Sequence, residues 1–357
     1  MTLEDAAAGA AHDEDVPDMN LMTPINAVGW VAGVFGSEKS FLANPIIGNR
    51  RLNELGLHRA RVAAAERMAR FRRSVMSGVS AEDRAAYEKD GFVIKENFLP
   101  DDVFKRIRDE VFGQSHPARE MRQGQTETRM IPLTLSRRAT MPETVRAAHD
   151  PALNRLTGFV AGRTGWPLHT IQTVIAEASK KPADPQTALH ADTFHSTSKF
   201  WLFLHDVELD DGPFMFAPGS HRLTPERLQW EHEQSITARE EKRPHHSFGS
   251  FRIPADHMER LGYREPRPVP VPANTLVVAD TYGFHSRSPS SRPTVRTEIH
   301  GHLRRNPFPP WNGLDVQSLP GVRGRQFDIH FGWNALTGTE SVWKDVGMTF
   351  ADGPPKT

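Results

Sequence analysis

The chain of 357 residues contains no cysteine. That absence excludes disulfides, zinc–thiolate sites, iron–sulfur clusters and cysteine nucleophiles, so any metal must be held by histidine and carboxylate. Net charge is missing as well. Lys+Arg and Asp+Glu are equal at 44 each, and no global electrostatic attraction draws the chain to nucleic acid or to an anionic membrane. No apolar run approaches the roughly 20 residues that a spanning helix needs. The opening stretch MTLEDAAAGAAHDEDVPD is acidic and lacks the basic and apolar regions of a secretory signal, which makes a cytoplasmic protein the expectation. There is no internal repeat, no glycine-rich phosphate loop, no Gly-x-Ser-x-Gly elbow and no dinucleotide fingerprint. Hydrophobic residues make up 38% and charged residues 25%, the composition of a folded globular protein with room for one large domain or two ordinary ones.

Along the chain, residues 1–20 read as a disordered acidic tail and 21–80 as an N-terminal helical arm. From Arg50 to Arg73 there are eight arginines against Glu54 and Glu66, and Leu52, Leu55, Val62, Met68, Phe71 and Val75 fall near one helical stripe. Two readings of residues 21–75 follow: an arm packed on the rest of the chain or on a second subunit of a homodimer, or a peripheral membrane contact anchored by Trp30 and Phe35. Ser80 followed by Glu82 and Asp83 predicts a helix N-cap, with the helix running to about Lys89. Gly91–Lys95 reads as a strand and 101–112 as a helix. After about residue 165, strand-like runs at 168–178, 199–207, 213–217, 275–280 and 295–303 alternate with Gly/Pro turns, the pattern of a β-sandwich or barrel. The polar stretch 222–268 interrupts them and reads as an insertion or lid, helical at 224–241. The domain containing it spans about 81–345.

The strongest local chemical signal is Leu189-His190-Ala191-Asp192. Side chains two apart on an extended segment share a face, so His190 and Asp192 can chelate one metal. His-x-Asp alone arises by chance in many proteins. A non-haem ferrous site needs a second histidine, with the remaining positions open. His285, just after the strand-like Thr275–Asp280, is the candidate. Arg296, 11 positions further on, begins a strand and could hold a carboxylate by a bidentate pair. On the same strand, period two places Arg296, Glu298, His300 and His302 on one face. They are read either as a buried polar network or as substrate contacts. His195 reads as lining the pocket mouth, His205 and His221 as structural, and His245-His246 as solvent-facing.

These pieces, in order, resemble the phytanoyl-CoA dioxygenase family: Asp90-Gly-Phe-Val-Ile-Lys-Glu-Asn-Phe-Leu-Pro-Asp-Asp102, His190-Ala-Asp192, Trp201, Asp211-Gly-Pro213, Ala217-Pro-Gly-Ser-His221, His285 and Arg296. The resemblance covers about 81–303. It implies a mainly β fold with flanking helices, built on a double-stranded β-helix (jelly roll, cupin-like) core. It also implies Fe(II) bound by His190, Asp192 and His285, with 2-oxoglutarate as co-substrate alongside O2, its far carboxylate on Arg296 and Trp201 beside it. The activity implied is hydroxylation of an unactivated C–H in a small-molecule or acyl/lipid-like substrate, with release of succinate and CO2. Asp192 favours hydroxylation over halogenation, because related halogenases replace this carboxylate with a small residue. Arg287 departs from the small polar residue that the family often has there, and could touch the cofactor carboxylate or point to solvent. Two other readings remain open: a catalytically silent jelly-roll binding module, and a jelly-roll metalloenzyme that ignores 2-oxoglutarate.

Overall fold

Alternation of apolar and polar residues builds the centre of the molecule, and a computed structural model describes residues 24–176, 184–241, 245–312 and 316–354. The acidic tail expected over 1–20 lies outside the described residues. The helices are α1 (Pro24–Val34), α2 (Arg50–Glu54), α3 (Leu57–Val75), α4 (Ala81–Asp90), α5 (Asp101–Phe112), α6 (Pro142–Ala148), α7 (Pro151–Val160), α8 (Pro225–Thr237), α9 (Ala255–Arg260) and α10 (Gln326–Thr337). The strands are β1 (Phe92–Lys95), β2 (His116–Gln123), β3 (Thr126–Pro132), β4 (Leu168–Ala176), β5 (Ser198–Phe203) and β6 (Phe214–Phe216). They continue with β7 (Arg267–Val269), β8 (Leu276–Asp280), β9 (His285–Arg287), β10 (Thr294–Leu303) and β11 (Lys344–Thr349).

An eight-stranded antiparallel sheet, β1-β8-β5-β10-β4-β3-β2-β11, faces a three-stranded one, β7-β6-β9. Together they form the double-stranded β-helix, with helices outside. Period two sorts the large sheet. Ile171, Phe200, Leu202, Val278 and Ile299 point outward into a core completed by Ile107, Val111, Val145 and Phe159 of the helices. The alternate residues Lys199, Trp201, Phe203, Arg296, His300 and His302 point between the sheets and line a cavity. Register matches them across strands: Trp201 opposes His300, and Lys199 opposes His302.

The expected strands appear, some shortened by a few residues. The hairpin β2–β3 was not legible, because HPAREMRQGQTETRMIP carries little apolar alternation. Beside buried Ala118, Met121, Met130 and Ile131, it buries a polar pair, with Arg129 meeting Glu120 at 2.6 Å. The sheet also runs past residue 345, through β11.

The basic helix expected from Arg50 to Arg73 is two helices, broken where Gly56 adopts φ 99°, a conformation that strains other residues. The expected apolar stripe is not the buried face. Leu55, Phe71 and Val75 are exposed at 85%, 51% and 63%, while His58, Arg61, Val62, Ala65, Ala69, Arg72 and Arg73 face inward. The arginines point in because they donate to backbone carbonyls of the rest of the chain: Arg72 to Gly162 (2.6 Å) and Pro307 (2.9 Å), and Arg73 to Phe159 (3.0 Å) and Val160 (2.8 Å). Among the described residues no helix is long and apolar enough to cross a membrane.

The stretch 222–268, read as an insertion or lid, packs against the wall of the site. Trp230 of α8 is buried. Ala191 N donates to Phe251 O and Ile253 N to Leu189 O, both at 3.0 Å, so residues 251–253 extend the wall beside His190. His245 and His246, expected in solvent, are buried; His246 stacks on Phe251 at 4.3 Å. Within the same stretch, Glu231 receives Arg227 at 2.9 Å and His58 of α3 at 3.0 Å. All three are nearly inaccessible.

Two stability predictions follow. Glu231→Ala strands a buried guanidinium, and urea unfolding should read a loss of about 3–5 kcal/mol. His221 packs against Tyr87 and closely under Gly91, where an added Cβ would lie 2.5 Å from its Nδ1. Burial pushes its imidazole down to about 3. The unfolded chain therefore takes up a proton that the folded one refuses. Stability should fall as pH drops from about 6.5 towards 3, by about 1.4 kcal/mol per unit for this residue. His221→Asn should flatten that slope in urea titrations at several pH values.

Candidate metal centre

His190 and His285 sit opposite one another across an isolated antiparallel bridge. Each backbone N donates to the other's carbonyl at 2.9 Å. Directly opposed residues present side chains to the same face, and the two rings stand 4.5 Å apart. Asp192, two residues beyond His190, reaches the same face, its backbone held by Asp192 N donating to Thr281 O at 2.9 Å. One ligand atom from each of the three lies within 4.8 Å of the others.

The imidazoles are set for a metal. His190 Nδ1 pairs with Ala188 O at 2.8 Å and His285 Nδ1 with Gly283 O at 2.9 Å. A carbonyl only accepts, so each Nδ1 carries the proton and each Nε2 keeps its lone pair. Both Nε2 atoms face Asp192 Oδ1, at 3.6 and 3.7 Å. Burial, then Arg252 and His285, push the His190 imidazole down to about 3; burial also lowers His285. Neutral imidazole is the ligating form. Burial alone would raise the Asp192 carboxyl, but Lys199 and His285 outweigh it and hold the group well below the usual range. Lys199 Nζ lies 2.7 Å from Asp192 Oδ2, leaving Oδ1 towards the histidines. Two neutral imidazoles and one carboxylate on one face are a donor set that suits ferrous iron with open positions.

The cavity beside the triad has a volume of about 150 Å³ and is lined by Trp201, Arg287, Arg296, His300 and His302. Trp201 stacks near Phe214 at 4.8 Å and His300 at 5.9 Å. Arg296 Nε donates to Glu298 at 3.1 Å and its Nη1 to Gly212 O. Nη2 is the donor left for a ligand. Glu298 lies behind Arg296 rather than on the lining. Arg287 pairs with Asp184 at 2.6 Å and still borders the cavity. His195 is a correction. It was expected at the pocket mouth for its closeness to Asp192, but the chain leaves its extended course after that residue. His195 lines a separate small cavity with Arg72 and Arg163, its Nδ1 2.9 Å from Ser196 O.

Four lining cations escaped the sequence reading: Lys39, Lys199, Arg252 and Arg304. Two had a signal. Lys199 stands two before Trp201, and Arg304 continues the even-numbered face of β10. Lys39 and Arg252 had none, since tertiary contacts alone bring them in. Asp192→Ala and His285→Ala should each abolish stoichiometric binding of a divalent metal, read by calorimetry on metal-free protein. Unchanged binding in either variant would remove that residue from the ligand set.

Comparison with known proteins completes the description. No curated protein matches the chain by sequence. Among solved structures it is similar to the carbocyclase SnoK from nogalamycin biosynthesis, at 20% identity over 71% of this chain and 91% of that one, TM-score 0.40. It is similar to the epimerase SnoN in complex with Fe3+, alpha ketoglutarate and nogalamycin RO, at 15% identity over 67% and 92%, TM-score 0.40. It is also similar to HygX from Streptomyces hygroscopicus with nickel, 2-oxoglutarate and hygromycin B bound, at 14% identity over 69% and 94%, TM-score 0.39. The phytanoyl-CoA dioxygenase family matches residues 87–289, a span that includes His190, Asp192 and His285 and more than half of the chain. With that match, the chain belongs to the phytanoyl-CoA dioxygenase family.

Proposed function

We propose that the protein is an Fe(II)- and 2-oxoglutarate-dependent dioxygenase that hydroxylates a C–H bond of a small polar molecule. The observation that carries this reading is the pair of bridged histidines with both Nε2 lone pairs turned to Asp192, in the same cavity as Arg296. Iron with 2-oxoglutarate and O2 supplies the oxidation, in which one oxygen atom enters the substrate and the other the succinate released with CO2.

The chain's own residues hold, aim and shield. His190, Asp192 and His285 would hold the metal on one face, leaving the other positions open. Lys199 keeps Asp192 ionised and occupies the oxygen that faces away. Glu298 and the Gly212 carbonyl fix the Arg296 guanidinium, so Nη2 would meet the far carboxylate of 2-oxoglutarate without a search over rotamers. Trp201 and Phe214 exclude water from that end. The cations and glutamines set among the aromatic side chains of the lining favour a polar substrate over the acyl or lipid chain considered from sequence.

The test is an anaerobic titration of metal-free protein with Fe(II), then 2-oxoglutarate, following the weak visible charge-transfer band of the chelate. Wild type should show the band and, once O2 is admitted, form succinate. Arg296→Ala should need about 10–100 times more 2-oxoglutarate, the effect of losing a charge-assisted hydrogen bond. Folded wild-type protein that gives no band and no succinate would sink the proposal, in favour of a binding module or a metalloenzyme of another kind.

A further inference from the structure

The cavity carries far more positive charge than the metal and the keto acid account for. Among the described residues six cations line it, Lys39, Lys199, Arg252, Arg287, Arg296 and Arg304, against one lining carboxylate, Asp192. Lys199 meets Asp192, Arg287 meets Asp184 and Arg296 meets Glu298 at ion-pair distance. Arg252 differs. Among the described residues its hydrogen bonds go to Ser250, at 3.1 Å to the carbonyl and 2.7 Å to the hydroxyl, both from Nη1. Asp192 and Asp184 act on it from beyond ion-pair distance, and its Nε and Nη2 have no hydrogen-bond partner among the described residues at the wall of the cavity it lines.

The backbone places this charge. Arg252 pairs across His190 on the side away from His285, so its side chain enters the cavity beside the triad. Gly249 packs so closely on Lys39 that an added Cβ would lie 2.2 Å from the Lys39 carbonyl. That contact joins the 249–252 segment to the N-terminal arm. Lys39 Nζ donates to the Asp192 carbonyl at 2.8 Å, and Arg304 donates to Ser37 O at 2.5 Å. Lys39, Arg252 and Arg304 all line the cavity. Arg304 follows the end of β10, eight residues beyond Arg296, or roughly 25 Å of extended chain.

We propose that Arg252, with Lys39 and Arg304 lining the same cavity, forms an oxyanion subsite beside the triad and distinct from Arg296, and that the substrate presents a carboxylate or phosphate group to it. This rests on the dioxygenase reading for the identity of the site, though not for the binding itself. Arg252 would hold the anionic group of the substrate beside the metal while Arg296 holds the co-substrate, so the two anions do not compete for one cation.

The experiment uses the full chain loaded with Fe(II) and saturating 2-oxoglutarate without oxygen, with the charge-transfer band and calorimetry read separately. Inorganic phosphate and acetate are titrated as probes, with uncharged acetamide as control. Wild type should bind at least one anion and not acetamide, and the anion that binds tells phosphate from carboxylate. Arg252→Gln should weaken that binding by about tenfold or more and leave the 2-oxoglutarate midpoint of the band unchanged. Arg252→Lys should restore part of the binding, and Lys39→Gln, on a separate segment, should weaken it too. No anion binding to wild type with the band intact would overturn the subsite, as would unaltered binding in Arg252→Gln. So would a shifted 2-oxoglutarate midpoint in Arg252→Gln, which would make Arg252 a co-substrate ligand. Absence of the band with Arg252-dependent anion binding retained would instead overturn the dioxygenase reading and uphold the subsite.

Discussion

The reciprocal pair of backbone hydrogen bonds between His190 and His285 is the constraint on which the rest of the site depends. It makes two residues 95 positions apart in sequence direct neighbours on one face, and it needs no side chain to do so. Everything around it keeps these two short segments in register. On one side, Phe251 and Ile253 pair with the backbone at Ala191 and Leu189. On the other, β9 continues into the small sheet through β6. The turn before His285 is held by buried Asp280, which accepts from Tyr282 N at 3.1 Å, Tyr87 OH at 3.0 Å and Arg73 at 3.3 Å. Helices outside the sheets therefore steady the loop that carries a candidate metal ligand.

Charge inside the molecule follows one rule: where a buried cation has a structural task, its partner is built in. Arg129 has Glu120, Arg227 has Glu231, and Arg73 has Asp280 together with two carbonyls. These arginines act beside apolar packing, such as Val62 and Ala65 with Tyr282 and Trp230 with Phe41 and Phe284, in fastening the N-terminal helices, the 222–268 stretch and the tail to the sheets. Such pairs give geometric definition more than net stability, because desolvation consumes much of their attraction. Against that background the cavity differs. There the cations outnumber the carboxylates, and the excess lies beside the triad.

Several features were legible in the chain before any coordinates. His190 and Asp192 announced themselves through period two, and β10 told by the same rule that Arg296, His300 and His302 share a face. Ser80 caps α4 as its Ser-x-x-Asp pattern requires, with the hydroxyl accepting from Asp83 N. These inferences are local: they need only the repeat of a strand or the unsatisfied donors of a helix end. His195 was placed by nearness in sequence to Asp192, and the bend after Asp192 turns that imidazole towards α3 instead. The apolar stripe of the arm misled for a different reason. An apolar stripe is a guide to burial when apolar contact is what the neighbour offers, and here the neighbours offer carbonyl oxygens to arginine.

The sequence by itself determined the donor chemistry, since a chain without cysteine can offer a metal only imidazole and carboxylate. It also determined the strand periodicity that sorts core from cavity, and the ordered motifs of the family. Only the tertiary structure decided which residues share the space beside the triad. Lys39 comes from the arm, Arg252 from the 222–268 stretch, and Lys199 and Arg304 from β5 and the end of β10, strands far apart in sequence that pair side by side in the large sheet. Covalent spacing and local propensity carry no information about such meetings. They are set by the packing of whole elements, and the charge of the cavity is a property of that packing.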